Sequence, residues 1–320
     1  MSCSRVLIAA LAMLVAGTGS ALAQAWPSKP VRLVVPYGVG GSVDVLSRHF
    51  ANELGAVLKQ TVVVENRPGA STGIGATVVA QSPADGYTIL VGTASTMSTN
   101  PYLFSKLTYQ PSQLEPIAML GTMPLIVVGS LTTPKTFKEL LAYAKANPGK
   151  LNYGTVGPAS LGDVIGQRFM QATTTQITPV AYKGHAQAII DMKGERLELL
   201  FDGLSSALPH VEAGGLRAFA LIAEKRSAAA PQVPTMLELG FPTMTTAFWI
   251  GLFAPAGVPG DVVEALNAAV RKASQQPAMI RRFQFDGIEP SQFSVTEFKQ
   301  FVARDQQDWK GVLANNKKLD

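Results

Sequence analysis

Glycine and hydroxyl residues gather where a short apolar run gives way to an amphipathic pattern, and this turn could bind an anion. Gly38, Gly40 and Gly41 precede Ser42, which is a favourable helix N-cap. Glycine allows positive φ angles and lets a ligand approach the main chain closely. A helix N-terminus leaves N–H groups unpaired and carries a partial positive charge. We interpret the anion as a carboxylate; the alternative is an ordinary strand-to-helix turn without a ligand.

The same arrangement recurs at residues 156–163, after another predicted strand. There Gly157, Pro158, Ala159 and Ser160 precede a predicted helix. Two helix starts that face each other across a cleft would hold both ends of a small dicarboxylate without a cationic side chain. Such a ligand contacts both halves of the protein only when the cleft is closed, so it favours closure.

Further candidate contacts follow other predicted strands. Residues 93–96 are predicted to form a small, hydroxyl-rich loop, and Asp202 opens another turn. Asp44 would repel a carboxylate, so we expect its side chain to point away from the ligand or to reach it through water. The complete set of candidate ligand-binding residues is Tyr37, Gly40, Gly41, Ser42, Val43, Asp44, Thr93, Ala94, Ser95, Gly157, Pro158, Ala159, Ser160 and Asp202.

An enzymatic alternative rests on residues 69–73, which match the G-x-S-x-G pattern of the hydrolase nucleophile elbow. Ser71 would then need a histidine base and an acid that orients this base. The candidate bases, His185 and His210, have no obvious acid partner in the sequence. We therefore predict no catalytic residue and no enzyme activity. Scattered histidines and a single cysteine, Cys3, also predict no metal site and no cofactor.

The first 23 residues have the features of a signal peptide. Arg5 supplies the positive charge, residues 6–16 are apolar but too short to span a bilayer comfortably, and residues 21–23 read Ala-Leu-Ala. We expect cleavage before Gln24 and export of the mature chain. No later apolar run is long enough to predict a transmembrane helix.

Composition and length favour a globular protein with two lobes. Of the 320 residues, 47% are hydrophobic and 15% are charged. The net charge of +5 is spread along the chain, so a nucleic-acid partner is not expected. Predicted strands and helices alternate throughout, which favours α/β sheets. We place lobe 1 at residues 24–121 plus 251–320 and lobe 2 at residues 122–250.

Four local predictions can be tested individually. Residues 136–139 and 294–297 each match the capping box, which marks a helix start. Residues 248–254 form a strongly apolar strand that is expected to return to lobe 1. Residues 231–235 are expected to start a short helix that runs to Leu239.

A series of different short motifs lies along the mature chain. They lie at residues 26–32, 35–37, 40–44, 64–69, 82–88, 151–154, 182–184, 201–202, 207–210, 225–227, 233–235 and 251–255. In this order they resemble the Bug family, the solute-binding receptors of tripartite tricarboxylate transporters. The resemblance covers essentially the whole mature chain.

This resemblance implies a two-lobed periplasmic binding protein fold of type II, in which each lobe is a sheet flanked by helices and strands cross between the lobes. It implies that main-chain groups and ordered water hold a carboxylate between the lobes in the periplasm. It also implies delivery to a membrane complex of one large and one small subunit. We expect a monomer whose partners are the carboxylate and these transporter subunits.

Departures from the family pattern leave the ligand open. Family members usually carry a histidine and a glutamate after the second turn, where this chain has Asp163 and Gln167. Asp163 could favour a ligand with a donor group, such as an amide or amino acid, or it could cap its own helix. Tyr37, Phe201 and Trp249 could line a slot for an aromatic acid, or they could be core residues. A receptor that signals to a sensor instead of a transporter is a further alternative.

Overall fold

The computed structural model describes residues 26–40, 42–157, 160–182, 184–245, 248–313 and 318, so the predicted signal peptide lies outside the described residues. The strands are β1 (Val31–Val35), β2 (Val62–Asn66), β3 (Thr88–Thr93), β4 (Leu114–Met123), β5 (Leu125–Gly129), β6 (Asn152–Thr155), β7 (Thr178–Ala181), β8 (Leu199–Gly203), β9 (Arg217–Ile222), β10 (Phe248–Pro255) and β11 (Glu289–Pro290).

The α-helices follow these strands in alternation. They are α1 (Ser42–Leu58), α2 (Gly73–Ala80), α3 (Asn100–Leu103), α4 (Phe137–Ala146), α5 (Leu161–Thr173), α6 (His185–Lys193), α7 (Leu204–Glu212), α8 (Gly260–Ser274), α9 (Pro277–Asp286) and α10 (Val295–Leu313). A π-helical turn at Ser95–Thr99 and a 3-10 turn at Pro111–Gln113 complete the regular structure of the described residues.

The described strands form two sheets with corresponding strand orders. The first sheet has the order β11-β4-β10-β3-β1-β2 and the second has the order β7-β6-β8-β5-β9. β1 pairs in parallel with β2 and β3, and β6 pairs in parallel with β7 and β8. β10 in the first sheet and β5 in the second run antiparallel to their neighbours. We call the part built on the first sheet lobe 1 and the part built on the second sheet lobe 2.

The chain passes from the first sheet to the second between the end of β4 and the start of β5. β4 ends at Met123, and β5 begins at Leu125 in the other sheet. Leu125 pairs with Gly203, the last residue of β8, because β5 and β8 are antiparallel. β3 and β4 both run antiparallel to β10, so the carboxyl ends of β3 and β4 lie at the same end of the first sheet. The carboxyl ends of the parallel strands in both sheets therefore lie on the side where the chain passes between the lobes, which is where open α/β sheets bind ligands.

A continuous hydrophobic core connects the two lobes. It includes Leu33 and Phe50 in lobe 1, Met123 and Leu125 at the crossover, and Phe201 in lobe 2, each at most 5% exposed. Burial of apolar surface contributes about 25 cal/mol for each Å² removed from water. The crossover is therefore a packed part of the structure, and it fixes where the ligand-facing edges of the two sheets lie.

Most of the predicted architecture is confirmed. Strands and helices alternate in two sheets, and β10 returns to the first sheet as expected from its apolar sequence. Both capping boxes form: Glu139 N donates to Thr136 Oγ1 over 3.2 Å, and Glu297 N donates to Ser294 Oγ over 3.3 Å. These helix starts are determined by side chains three residues apart, which is why the sequence predicts them well.

The helix predicted at residues 231–239 does not form, and that prediction is wrong. Leu221 N donates to Pro234 O over 2.8 Å, and Met236 N donates to Leu221 O over 2.8 Å. This segment therefore pairs with the end of β9 through a bridge between Leu221 and Thr235. A long-range pairing of this kind has no signal in local sequence.

Candidate functional site

The described part of the first turn, residues 36–40, follows β1 and is anchored by a buried carboxylate. Asp44 is 1% exposed and accepts hydrogen bonds from Gly40 N (2.8 Å), Asn66 Nδ2 (2.8 Å) and Arg48 Nε (3.1 Å). Burial acts to raise the pKa of this carboxyl, but the bonds and the charge of Arg48 outweigh burial and hold the pKa below its usual value. Asp44 is thus an anion that orients the backbone of its own turn.

A hydroxyl pair joins the first turn to the end of β3. Tyr37 Oη and Thr93 Oγ1 are 2.8 Å apart, and Asn66 Nδ2 donates to Tyr37 O over 3.1 Å. Burial raises the pKa of Tyr37 to about 12 despite the opposing effect of the Thr93 bond, so the phenol is neutral. β3 runs into the π-helical turn Ser95–Thr99, so the loop predicted at residues 93–96 is wrong.

A second feature of lobe 1 is the turn at residues 69–72, whose left-handed backbone conformation the sequence did not predict. Its φ angles are +121°, +47°, +46° and +78°, and three of its four residues are not glycine. Sparsely populated backbone conformations cost of order 1–3 kcal/mol each and cluster at ligand sites. Thr72 Oγ1 lies 2.9 Å from Thr96 Oγ1, and Asn100 Nδ2 donates to Ser71 O over 2.6 Å. Because β2 neighbours β1, this turn lies beside the first turn.

The arrangement around Ser71 does not resemble a catalytic triad. Ser71 lies in lobe 1, whereas His185 begins α6 and His210 lies in α7, both in lobe 2. Among the residues that the structure describes, no hydrogen bond joins Ser71 to a histidine. A hydrolase would need this bond for the histidine to accept the serine proton.

The described residues of the second turn, 156, 157 and 160, follow β6 and are held by hydroxyl groups. Ser160 is the N-cap of α5, and its Oγ accepts a hydrogen bond from Asp163 N over 3.4 Å. Thr155 Oγ1 lies 2.6 Å from Ser160 Oγ and donates to Gly157 O over 3.0 Å. Gly157 has φ +111°, a conformation that favours glycine. These contacts hold the start of α5 at the end of its strand.

Asp163 faces the interior of lobe 2. It is 9% exposed, and its carboxylate accepts hydrogen bonds from Tyr153 Oη (3.3 Å) and Gln167 Nε2 (3.2 Å). Burial raises the pKa of Tyr153, and the negative charge of Asp163 raises it further. Ser160 is the N-cap of this helix and Asp163 lies in its first turn, so the choice between helix capping and ligand contact for Asp163 stays a prediction.

Next to the second turn, the structure pairs a histidine with an aspartate. His185 Nδ1 lies 2.5 Å from Asp202 Oδ1, and Asp202 also accepts from Gly203 N (2.8 Å) and Ser206 Oγ (2.7 Å). Burial acts to lower the pKa of His185, but the hydrogen bond to Asp202 and its charge raise it, and the net pKa is raised. The prediction that His185 lacks an acid partner is therefore wrong.

The remaining predicted site residues fall into two groups. Three residues and one side chain lie outside the described part of the chain: Gly41, Pro158, Ala159 and the side chain of Ser42. Three more are buried, with exposures of 6%, 4% and 9% respectively: Val43, Ala94 and Ser95. A ligand at the turns would reach the main chain of these buried residues more readily than their side chains.

An aromatic slot does not form from the three predicted rings. Phe201 is 2% exposed and packs against Tyr153 and Phe169, with ring centroids 5.6 and 5.3 Å away. Trp249 is fully buried, and Tyr37 is half-buried with its hydroxyl on Thr93. Phe201 and Trp249 are core residues, so the slot interpretation is wrong for them.

The fold and the two turns define a two-lobed periplasmic binding protein, and comparison with known proteins gives the family. A family model described as the tripartite tricarboxylate transporter family receptor, TctC, matches residues 46–318. The protein BugT of Bordetella pertussis is 32% identical over 316 residues, which cover 96% of each chain. The chain therefore belongs to the TctC family of tripartite tricarboxylate transporter receptors, as the Bug-family resemblance predicted.

Solved structures agree with this family. Rpa4515 of R. palustris, solved with adipate, is 32% identical with a TM-score of 0.82, covering 90% of this chain and 97% of its own. MatC of Rhodopseudomonas palustris, solved with bound malate, is 29% identical with a TM-score of 0.80, covering 90% of this chain and all of its own. The two-lobed α/β fold predicted from the sequence is confirmed.

Proposed function

We propose that this protein captures a small carboxylate between its two lobes and delivers it to a tripartite tricarboxylate-type transporter. The observation that carries this proposal is that α1 and α5 begin at the carboxyl ends of β1 and β6, on the edges where the chain crosses between the lobes. Helix N-termini at such edges favour anions. Two structurally similar chains were solved with adipate and with malate, which are both dicarboxylates.

A dicarboxylate suits this arrangement because each lobe could hold one of its ends. Each charge-assisted hydrogen bond contributes about 1.5–3 kcal/mol net. Three or four such bonds, less the cost of immobilising the ligand and the lobes, correspond to micromolar affinity. The ligand contacts both lobes only in the closed form, so it shifts the protein towards closure.

Exposed apolar side chains on the two turns support a ligand with an aliphatic chain. Val39 on the first turn is 75% exposed, and Val156 on the second turn is 44% exposed. Covering them gains about 25 cal/mol for each Å² removed from water. An aliphatic segment between two carboxylates would provide that cover as the lobes close.

We assign the ligand contacts to the residues predicted from the sequence around the two turns, together with the turn at residues 69–72. We assign lobe 1 to residues 24–121 plus 251–320 and lobe 2 to residues 122–250. β4 and β10 extend a few residues beyond these boundaries within the first sheet. The boundaries therefore fall inside the crossover strands.

We further infer that residues 1–23 are removed on export to the periplasm and that the mature protein is a monomer without catalytic activity. The helices of the described residues do not include one that is both long and apolar enough to span a bilayer. Placement of Ser71 and the two candidate bases in different lobes supports a binding role. The transporter subunits would recognise the closed form of the receptor.

A thermal-shift series tests this function. Malate, succinate and adipate should each be compared with a neutral diamide of similar length, because amide and acid differ mainly in charge. A ligand at a hundred times its dissociation constant adds about 2.7 kcal/mol of stability, so a dicarboxylate of the right length should raise the melting temperature clearly. Stabilisation by a diamide without stabilisation by any acid would reject carboxylate capture and favour the amide alternative.

A further inference from the structure

We infer that His185 is a specificity-determining residue of lobe 2, whose imidazolium Nε2–H donates to the ligand carboxylate beside the second turn. Asp202 holds the imidazole ring in place through Nδ1. This inference rests on the proposed function. The His185 side chain would distinguish a carboxylate from a neutral group at one end of the ligand.

The sheet order places His185 at the second turn. β6 lies between β7 and β8 in the second sheet. His185 follows β7, whereas Asp202 belongs to β8, so their 2.5 Å contact spans the end of β6. Adjacent strands are about 4.8 Å apart, so the pair bridges about 10 Å of sheet edge. Tyr182 N donates to Thr155 O over 2.8 Å, which joins the end of β7 to the residue before the second turn.

Asp202 is fixed by three donors, so it can orient the imidazole. One oxygen accepts from His185 and from Gly203 N, and the other accepts from Ser206 Oγ. Asp202 is 4% exposed, whereas the side chain of His185 is 30% exposed. Since the carboxylate occupies Nδ1, the ring presents Nε2 as its remaining polar atom. A carboxylate that orients histidine in this way also stabilises the protonated ring.

The charged surroundings of His185 are simple among the described residues. β6 and β8 pack against α6. Asp202 is the charged residue of β8, and β6 contributes Tyr153, whose hydroxyl is bonded to Asp163. On α6 itself, Asp191 and Lys193 lie about 9 and 12 Å along the helix axis from His185. Asp202 therefore dominates the field at the imidazole, and it favours the protonated ring.

Loss of His185 would have two effects on an anionic ligand. The ligand would lose a charge-assisted donor, and Asp202 would remain as an anion without its cationic partner near the approaching carboxylate. Both effects weaken binding of an acid and leave a neutral analogue much less affected. His185 would therefore select for a charged ligand, whereas the main-chain N–H groups of the turns would donate to any hydrogen-bond acceptor.

Titration calorimetry with adipate and malate tests the assignment. We compare the unsubstituted protein with His185→Gln, and with His210→Gln as a matched control in α7. His185→Gln should weaken binding about 10- to 100-fold, the equivalent of one charge-assisted bond. For the unsubstituted protein, affinity should fall as the pH rises above the ordinary histidine pKa of about 6.5, because the pKa of His185 is raised and the imidazole loses its proton there. His185→Gln should remove that dependence, and His210→Gln should keep it.

A second measurement does not depend on any variant folding. The chain has three histidines, so their imidazole resonances can be followed in the unsubstituted protein by proton NMR. A bound carboxylate should raise the pKa of His185 further. If the acids bind but neither the substitution nor the ligand changes these quantities, the role of His185 is wrong and carboxylate capture stands. If neither acid binds the unsubstituted protein, both proposals fail.

Discussion

The turn after β1 and the turn after β6 occupy corresponding places in their sheets, yet different side chains hold them. In lobe 1, the Asp44 carboxylate binds the backbone of its own turn through Gly40 N. In lobe 2, the hydroxyls of Thr155 and Ser160 hold the turn. One of the buried aspartates of lobe 2, Asp202, orients a histidine instead.

Asp44 in lobe 1 and Asp202 in lobe 2 are both buried near the carboxyl ends of the parallel strands, but different cations balance their charges. Asp44 is paired with Arg48, which keeps its charge at all physiological pH values. Asp202 is paired with His185, which can lose its charge near neutral pH. Under the proposed function, lobe 1 would therefore give a fixed support to one end of the ligand, whereas lobe 2 would respond to pH.

Among substitutions that test this difference between the two turns, Asp44→Ala should have the largest effect on stability and binding. The variant removes three hydrogen bonds to a charged group and leaves Gly40 N without its acceptor. We expect the free energy of unfolding to fall by about 3 kcal/mol and carboxylate binding to be lost. Urea denaturation and calorimetry measure both quantities.

The control for Asp44→Ala is Asp85→Ala, since Asp85 forms an exposed pair with Lys29. Because the pKa of Asp44 is lowered in the folded protein, its stabilisation is fully present above its unfolded pKa of about 4 and is lost as the pH falls. Equal losses of stability in the two variants would show that the lobe 1 turn does not depend on its carboxylate.

An intermediate effect is expected for Arg168→Gln, which tests whether α5 is also held by lobe 1. The Arg168 guanidinium carbon lies 5.2 Å from the Trp309 ring centroid in α10, and Asp305 and Asp308 act on its charge. We expect a loss of about 1.5 kcal/mol in the free energy of unfolding, measured in urea. Arg226→Gln, in an exposed pair with Glu238, should cost less than about 1 kcal/mol. Equal losses of unfolding free energy in the two variants would show that Arg168 does not hold α5 against lobe 1. The second turn would then depend on contacts within lobe 2 alone.

The smallest effect is expected at Ser160, where two substitutions separate capping from ligand contact. Ser160→Ala should cost about 1 kcal/mol of stability, whereas Ser160→Gly should cost only a few tenths, because glycine is tolerated at the N-cap. Both remove the hydroxyl that faces Thr155. If this hydroxyl contacts the ligand, both variants should weaken adipate or malate binding equally in calorimetry. Weaker binding in the alanine variant alone would assign Ser160 to capping.

Signals within a few residues of each other predicted the local structure well. Capping boxes at residues 136–139 and 294–297 formed because each bond joins neighbours along the chain. The helix predicted at residues 231–239 does not form because the main chain there pairs with Leu221 in β9, a contact that no local sequence pattern contains. The left-handed backbone of the turn at residues 69–72 was not predictable, because three of its positive φ angles belong to non-glycine residues, which rarely adopt them.

By itself, the sequence determined most of the strands and the capped helix starts, because apolar periodicity and capping act over short distances. Only the tertiary structure decided which polar groups meet at the edges of the sheets. His185 and Asp202 are neighbours because β6 lies between β7 and β8, and Asp44 meets Asn66 because β1 pairs with β2. Strand order is a property of the whole chain, so no local pattern of residues contains it.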